Sequence, residues 1–395
     1  MDRPPLERPA WRTCGILAVS VAVATLACRY SKRERSPAAR PVPAVSGSHR
    51  MGAAEKDQRA EPHEASPSVA PAGDGTGLWL SPTQGHPVAL AYLPVGTEMI
   101  AVLRPADILT HPEGAKTAEL LGPYLGGSLS QWQQELGIPW ERIEQITVGM
   151  PSAEAVSTRP TCVIVSQTPL DAWRQQRLDA GVRIVHHGAD EYFVHDRTAF
   201  FLPTDAAAST LIVCPAEEVR AIVEAGQTPP PLRRSVERLV SFTDADRLAT
   251  VVFPPTYLSA ALTPYFGDGW PRMKQSLDWL LGHDIRAIHM SLHVDEHLFI
   301  ELQVAGALHV SLSKWAAAAP ARLDKILDQL ARRYASLDRE TYGFELLEKG
   351  PDMLAAVSAH TRVLELRDHV VMRCYLPSVA AHNLAALAML SLNGL

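Results

Sequence analysis

Cysteine is scarce in this chain, five among 395 residues, and two of the five, Cys14 and Cys28, fall within the first 28 positions. The other three, Cys162, Cys214 and Cys374, show no C-x-x-C spacing and no companion histidine at ligand distance, which argues against a thiolate metal site. An odd count also rules out a complete disulfide framework, so buried free thiols packing as small hydrophobes are expected. Long apolar runs are missing too: the one near the N-terminus, Ile16 to Ala27, is only twelve residues, too short to cross a bilayer comfortably. Net positive charge is confined to the start. Residues 1–60 carry a net +6 and residues 61–395 a net −12, and a body that acidic excludes nucleic acid as a partner, because phosphates require a basic face. No G-x-G-x-x-G after a strand, no phosphate loop and no H-E-x-x-H occurs. No cofactor, metal ligand or catalytic residue is therefore assigned.

The N-terminus supplies what the rest lacks. Arg3, Arg8 and Arg12 precede the apolar run, and Cys28 follows it, the layout of an export signal at residues 1–28. Thr25-Leu26-Ala27-Cys28 resembles the lipobox of bacterial lipoproteins, departing from it at Thr25, where leucine is usual. That resemblance implies diacylation of the Cys28 thiol, which would become the mature N-terminus. An ordinary signal peptide cut near Ala27 and an uncleaved tilted anchor remain alternatives, the latter favoured by Arg29, Lys32, Arg33 and Arg35.

Residues 29–88 are rich in Pro, Ala, Ser and Gly, as in Ser36–Pro43 and Ala65–Gly75. Such a stretch cannot bury enough apolar surface to offset its ordering entropy. As a flexible tether of that length it would span roughly 45 Å end to end.

Beyond it, apolar β-branched runs end at prolines and give way to helical patterns. The junctions are Glu98–Leu109 with Pro105, Thr161–Pro169, Ser209–Pro215, Leu248–Pro255 and Val370–Pro377. Proline has its φ preset for a first helical turn and lacks only an N–H that this turn leaves unpaired. The pattern predicts an α+β fold: antiparallel or mixed sheets with helices packed on one face, with two similar halves, 89–243 and 244–395, as one description of it. The longest hairpin reads Ile288–Val294 and Leu298–Val304 around a loop at Asp295-Glu296-His297. Period-2 alternation opposes Val294 to Leu298, Leu292 to Ile300 and Met290 to Leu302 on an apolar face. The other face pairs His293 with Phe299, Ser291 with Glu301 and His289 with Gln303. A helical stripe of Leu323, Ile326, Leu327, Leu330, Tyr334 and Leu337 is expected to cover the apolar face. The closing helix, Val379–Leu392, is apolar nearly all round and expected to be buried.

Tyr92–Leu109, Trp140–Gly149 and Tyr375–Leu384 resemble, in style and order, a group of exported bacterial proteins of unassigned activity. The resemblance implies an extracytoplasmic α+β protein and brings no catalytic residues with it.

Candidate chemistry is thin. Ser311-Leu-Ser-Lys314 matches the S-x-x-K of serine acyl-enzymes, in which lysine takes the serine proton, but S-D-N is absent and Lys116-Thr-Ala118 is only a broken K-T-G. His289, His293 and Glu301 share one face and have the chemistry of a zinc site; the simpler reading is a solvated polar sheet face. His186, His187 and His195 form a weaker cluster across a turn. Gly122–Gly127 and Gly114–Thr117 read as loops, and Tyr265–Pro271 as an aromatic turn. The sequence thus points to an envelope protein, membrane-attached through its N-terminus, that acts by binding a protein or small molecule or by structural support. An extracytoplasmic serine or metal hydrolase is the alternative.

Overall fold

The structure, a computed structural model, describes residues 79–120, 133, 136–152, 159–179, 182–188, 190–204, 208–257, 278–282, 284–307, 311–335 and 344–393. The leader with Cys28, residues 29–78, most of the 128–136 helix, the Gly122–Gly127 and Tyr265–Pro271 loops and Leu337 lie outside the described residues.

Twelve strands form one antiparallel sheet: β1 Thr97–Leu103, β2 Ile143–Pro151, β3 Thr161–Ser166, β4 Arg183–His187, β5 Asp190–His195, β6 Thr198–Phe201, β7 Thr210–Pro215, β8 Ala249–Phe253, β9 Ile285–Val294, β10 His297–Gly306, β11 Thr361–Glu365 and β12 Val370–Pro377. Their spatial order is β11-β12-β10-β9-β8-β1-β2-β3-β7-β6-β5-β4. The first strand of each half pairs with the other, β1 with β8, so that Ile100 faces Val252 and Val102 faces Thr250. Outward from this pair on either side the path is alike. A first strand runs into a proline, two strands follow as a meander, a helix intervenes, and a later strand returns beside the third, β7 beside β3 and β12 beside β10. The first half inserts two more strands than the second. The fold is α+β, with the two halves fused into one sheet.

The prolines do their work unevenly. Pro105 opens helix α1, Pro105–Thr110, at its first turn, where the lost N–H costs nothing. Pro215 and Pro377 instead close β7 and β12, and the helices after them, Val219–Ala225 and Ala380–Asn393, begin a few residues later. The expectation that Pro377 starts a helix is corrected: its missing N–H ends the strand ladder and leaves a turn before the helix.

Alternation sorts the side chains onto two faces. One face carries Met99, Ala101, Ile146, Val148, Ile164, Leu211, Val251, Met290, Leu302 and Met372. Against it pack α2 (Asp171–Asp179) through Trp173, α5 (Ser313–Ala335) through Leu323, Ile326, Leu327 and Leu330, α6 (Phe344–Ala359) through Leu354 and Val357, and α7 (Ala380–Asn393) through Leu384 and Leu387. These form one continuous core, the source of most of the stabilisation at ~25 cal/mol per Å² of apolar surface buried. The opposite face receives two short helices, α3 (Val219–Ala225) and α4 (Arg234–Val240), over Ile212 and Cys214 and over Ile100, Val102, Val252, Ala287 and Ala305 respectively.

The β9–β10 hairpin has the register read from its sequence at all six predicted pairs. Its apolar face joins the core with α5, as expected. Its polar face contradicts the expectation: His289, Ser291, Glu301 and Gln303 are all under 5% exposed. The physical reason is what crosses this face: helix α4, packed over Val252, Ala287 and Ala305, and a segment assigned to the tether. Residues 79–88 return over this face and are bonded to it mainly by main-chain groups, which hydrophobicity does not reveal.

Candidate functional site

Register places the polar groups in a compact array. Thr250 pairs with Ser291, Ser291 with Glu301 and Glu301 with Arg373, a row across β8, β9, β10 and β12. One step along, Val252, His289, Gln303 and Val371 form the next row; one step back, His293, Phe299 and Tyr375 form another. Because successive residues alternate faces, all the named polar side chains point to the same side.

A strap of residues 79–88 runs along the Arg373, Tyr375 and Arg247 side of the array. Arg373 Nη1 donates to the carbonyl of Trp79 at 3.1 Å, and the Tyr375 hydroxyl donates to the carbonyl of Leu80. Arg247 Nη2 donates to Ser81 Oγ at 2.7 Å. Further along, Thr83 Oγ1 donates to Asp244 Oδ2 at 2.6 Å, the Gly85 N–H to Asp244 Oδ1 at 2.9 Å, and the Val88 N–H to Thr243 Oγ1 at 2.9 Å. The Ala245 N–H returns a bond to the His86 carbonyl at 2.9 Å. Gly85 is required by close approach: a Cβ there would collide with the Asp244 and Asp246 carboxylates. The Trp79 ring stands edge-on to Tyr375 with centroids 5.9 Å apart, and the Arg362 guanidinium lies 4.9 Å above it.

Charges beside the strap are unequally matched. Glu301 accepts from Arg373 Nε at 2.6 Å and from Gln303 Nε2 at 2.8 Å. Burial pushes its carboxyl up, but Arg373, His289 and Gln303 outweigh burial and hold it below the usual carboxylate range. Arg247, 2% exposed, lies with its guanidinium carbon 4.1 Å from the centre of the Phe299 ring. Its Nε is 3.9 Å from Asp244 Oδ2, too far for a hydrogen bond, and Nε and Nη1 have no hydrogen-bond partner. Burial pulls this guanidinium down, against Glu301 and Asp244. Thr250 Oγ1, Ser291 Oγ, His293 Nδ1, both His289 ring nitrogens and Gln303 Oε1 are likewise buried without a partner. Gln303 faces His289 and favours its charged form, yet the pair falls short of hydrogen-bond geometry. Burial wins at His289 and lowers its pKa to about 4, leaving the ring neutral at pH 7.

The sequence-derived candidates fare differently. His289, His293 and Glu301 do share a face, but Glu301 spends both oxygens on Arg373 and Gln303. Among the described residues no group of His, Cys, Asp and Glu has the arrangement to hold a metal ion. Ser311 Oγ lies 2.8 Å from Ser313 Oγ and accepts the Ser313 N–H at 3.3 Å, bracing the start of α5, while Lys314 is exposed. Lys116 pairs with Glu113 at 2.7 Å, and Glu113 also holds His382 Nδ1 at 2.5 Å, joining the helical residues 112–120 to α7. His186 and His187 sit at one end of the β4–β5 ladder and His195 at the other; His187 Nε2 faces Glu224 at 3.4 Å. Cys162, Cys214 and Cys374 are buried free thiols, and burial pushes Cys374 up to about 11. Arg247 and the strap had no sequence signal beyond an arginine among acids in a turn, Asp244-Ala-Asp-Arg247.

No family model matches the sequence. No curated protein matches it either. Among solved structures, one described as "Structure of crystal form I of TP0453" aligns over 77% of this chain and 98% of that chain, with a TM-score of 0.38 and 9% identity. A likeness that slight carries no argument about function.

Proposed function

We propose that this chain is an extracytoplasmic binding protein, attached to a membrane through its N-terminus and carrying its site beside the 79–88 strap. The observation that supports binding is the set of buried, unpartnered polar atoms of Arg247, Thr250, His289, Ser291 and His293 converging on one sheet face. Buried polar groups are ordinarily satisfied, and a concentrated group of exceptions calls for an occupant. Catalysis has less support, since Ser311 braces a helix and Lys314 points to solvent. The leader and the Pro/Ala/Ser-rich segment up to residue 78 support the membrane attachment.

The attachment is tested with radiolabelled palmitate in bacteria expressing the full chain. Label in the wild type and none in Cys28→Ser is expected. Equal labelling of the two, or none in either, refutes lipidation at Cys28. Membrane fractionation of the same cells then separates a retained anchor from a released, cleaved chain.

A further inference from the structure

We propose that the β11 edge of the sheet docks on an anionic lipid surface, through an apolar and basic patch that begins where the chain joins the fold at Trp79. This deepens the proposed membrane attachment and rests on it. Exposed large apolar side chains are informative when they gather in one place. Leu80, Phe242 and Leu366 are 59%, 44% and 45% exposed, and register brings them to one side of the sheet. The Tyr375 hydroxyl donates to the Leu80 carbonyl. Arg362 pairs with Arg373 and Leu364 with Val371, and just past β11 the Leu366 N–H donates to the His369 carbonyl at 2.9 Å. Phe242 stacks on the His369 ring with centroids 4.4 Å apart. His369, Val371, Arg373 and Tyr375 alternate onto one face, so their partners Arg362, Leu364 and Leu366 share it. β11 is an end strand of the sheet, and this row of side chains forms its rim. Residues 362–366 span roughly 13 Å at the rise of an extended strand, with Trp79 and Leu80 at one end and Phe242 at the other.

Charge and position select the occupant. Residues 61–395 carry a net −12, yet here Arg362 and Arg367 are exposed and Arg238 reaches the turn acid Asp368 at 3.9 Å. Glu365 turns to the other face, where it accepts from the Ser313 hydroxyl. The Arg362 guanidinium lies 4.9 Å from the centre of the Trp79 ring, so cation and indole are presented together. Arginines among leucines and aromatic rings complement an anionic bilayer surface, where the cations meet headgroups and the apolar groups reach the acyl boundary. As for position, residues 1–78 join the fold at Trp79, so a membrane held through the N-terminus is tethered to the patch itself. One acyl chain binds a bilayer only marginally, and a basic patch is an ordinary second contribution to stable attachment.

The test uses the full chain with vesicles of phosphatidylcholine mixed with phosphatidylglycerol, and with vesicles of phosphatidylcholine alone. Flotation reports attachment, and amide hydrogen exchange of residues 79–80 and 361–367 reports docking. On the mixed vesicles these amides are expected to exchange roughly tenfold more slowly than in the vesicle-free chain, and added salt is expected to reverse the slowing. Leu80→Glu with Leu366→Glu, two exposed positions, is expected to abolish it. Arg362→Gln with Arg367→Gln is expected to remove most of it, at about fivefold for each basic group. A chain that floats on the mixed vesicles with unchanged exchange at these residues overturns the docking and leaves the attachment standing; a chain that does not float overturns both. Undiminished slowing in the double glutamate variant overturns the patch, and equal slowing on phosphatidylcholine alone overturns the anionic surface. Slowing that grows with protein concentration in the absence of vesicles overturns the lipid in favour of a second copy of the chain.

Discussion

Replacing His289 with glutamine is expected to change how stability depends on pH more than it changes stability at pH 7. In the fold the imidazole is buried against Glu301, Gln303, Arg247 and His369, and its pKa is lowered from 6.5 to about 4. In the unfolded chain it titrates near 6.5, so between pH 6.5 and 4 the unfolded state binds a proton that the folded state refuses. Stability contributed by this group is thus full above pH 6.5 and lost as pH falls, at about 1.4 kcal/mol per pH unit. From pH 7 to pH 4.5 the wild type should lose about 2–3 kcal/mol relative to His289→Gln. The comparison must be a difference between the two proteins. Glu218 is pushed up to about 7, by burial and then by Glu217, and a carboxyl raised in the fold works with the opposite sign, favouring the fold as pH falls. His293, also lowered by burial and by Arg247, reinforces His289. Both contributions cancel when the variant is subtracted. The assay is urea unfolding of both proteins at several values between pH 4.5 and 7.5, read by circular dichroism. A difference curve flat to within about 0.5 kcal/mol would refute a neutral, desolvated imidazole on this sheet face.

Other changes probe the same architecture. Arg373→Met strands the buried Glu301 carboxylate and is expected to cost about 3–5 kcal/mol in urea unfolding, with Glu301→Gln in the same chain recovering most of it. Gly85→Ala drives a Cβ into Asp244 and Asp246, so limited proteolysis should cut within residues 79–88 much faster than in the wild type while the sheet core stays resistant. Trp173→Ala empties a buried position packed on Phe193 and Phe200 and should cost about 3–5 kcal/mol in the same measurement. Ser311→Ala removes the hydroxyl bracing α5 and should cost about 1 kcal/mol; an activity-based serine probe is expected to leave Ser311 unlabelled in the wild type.

Much of the fold was legible because alternation is a strong signal when one face meets an apolar core. Met290, Leu292 and Val294 against Leu302, Ile300 and Leu298 set the hairpin register unaided, since a slip by one residue would turn every one of them to the wrong face. The proline junctions located strand ends correctly, but proline marks the end of a ladder as well as the start of a helix, and Pro377 does only the former. The site was half visible. His289, Ser291, His293 and Glu301 could be placed on one face, but whether that face meets water depends on what crosses it, and no local pattern reports that. Trp79 to Val88 has no periodic apolar pattern and is bonded mostly through carbonyl and N–H groups, which are the same in every sequence. Arg247 looks like a turn residue, and its burial follows only from Phe299 and the strap closing on either side of it.

The strap also sets an order of events in synthesis. Trp79 and Leu80 leave the ribosome early, yet the groups that fasten them, Arg373 and Tyr375, lie 294 and 295 residues further on. Strands β1 to β7 are contiguous in the chain and can pair while the remainder is still being made, as domains fold in units during translation. Closure of the strap cannot be complete until β12 is in place. A chain truncated between residues 247 and 373 would therefore keep the bonds of Thr83, Gly85 and Val88 to Thr243 and Asp244 but lose those that hold Trp79 and Leu80, leaving that end of the strap loose.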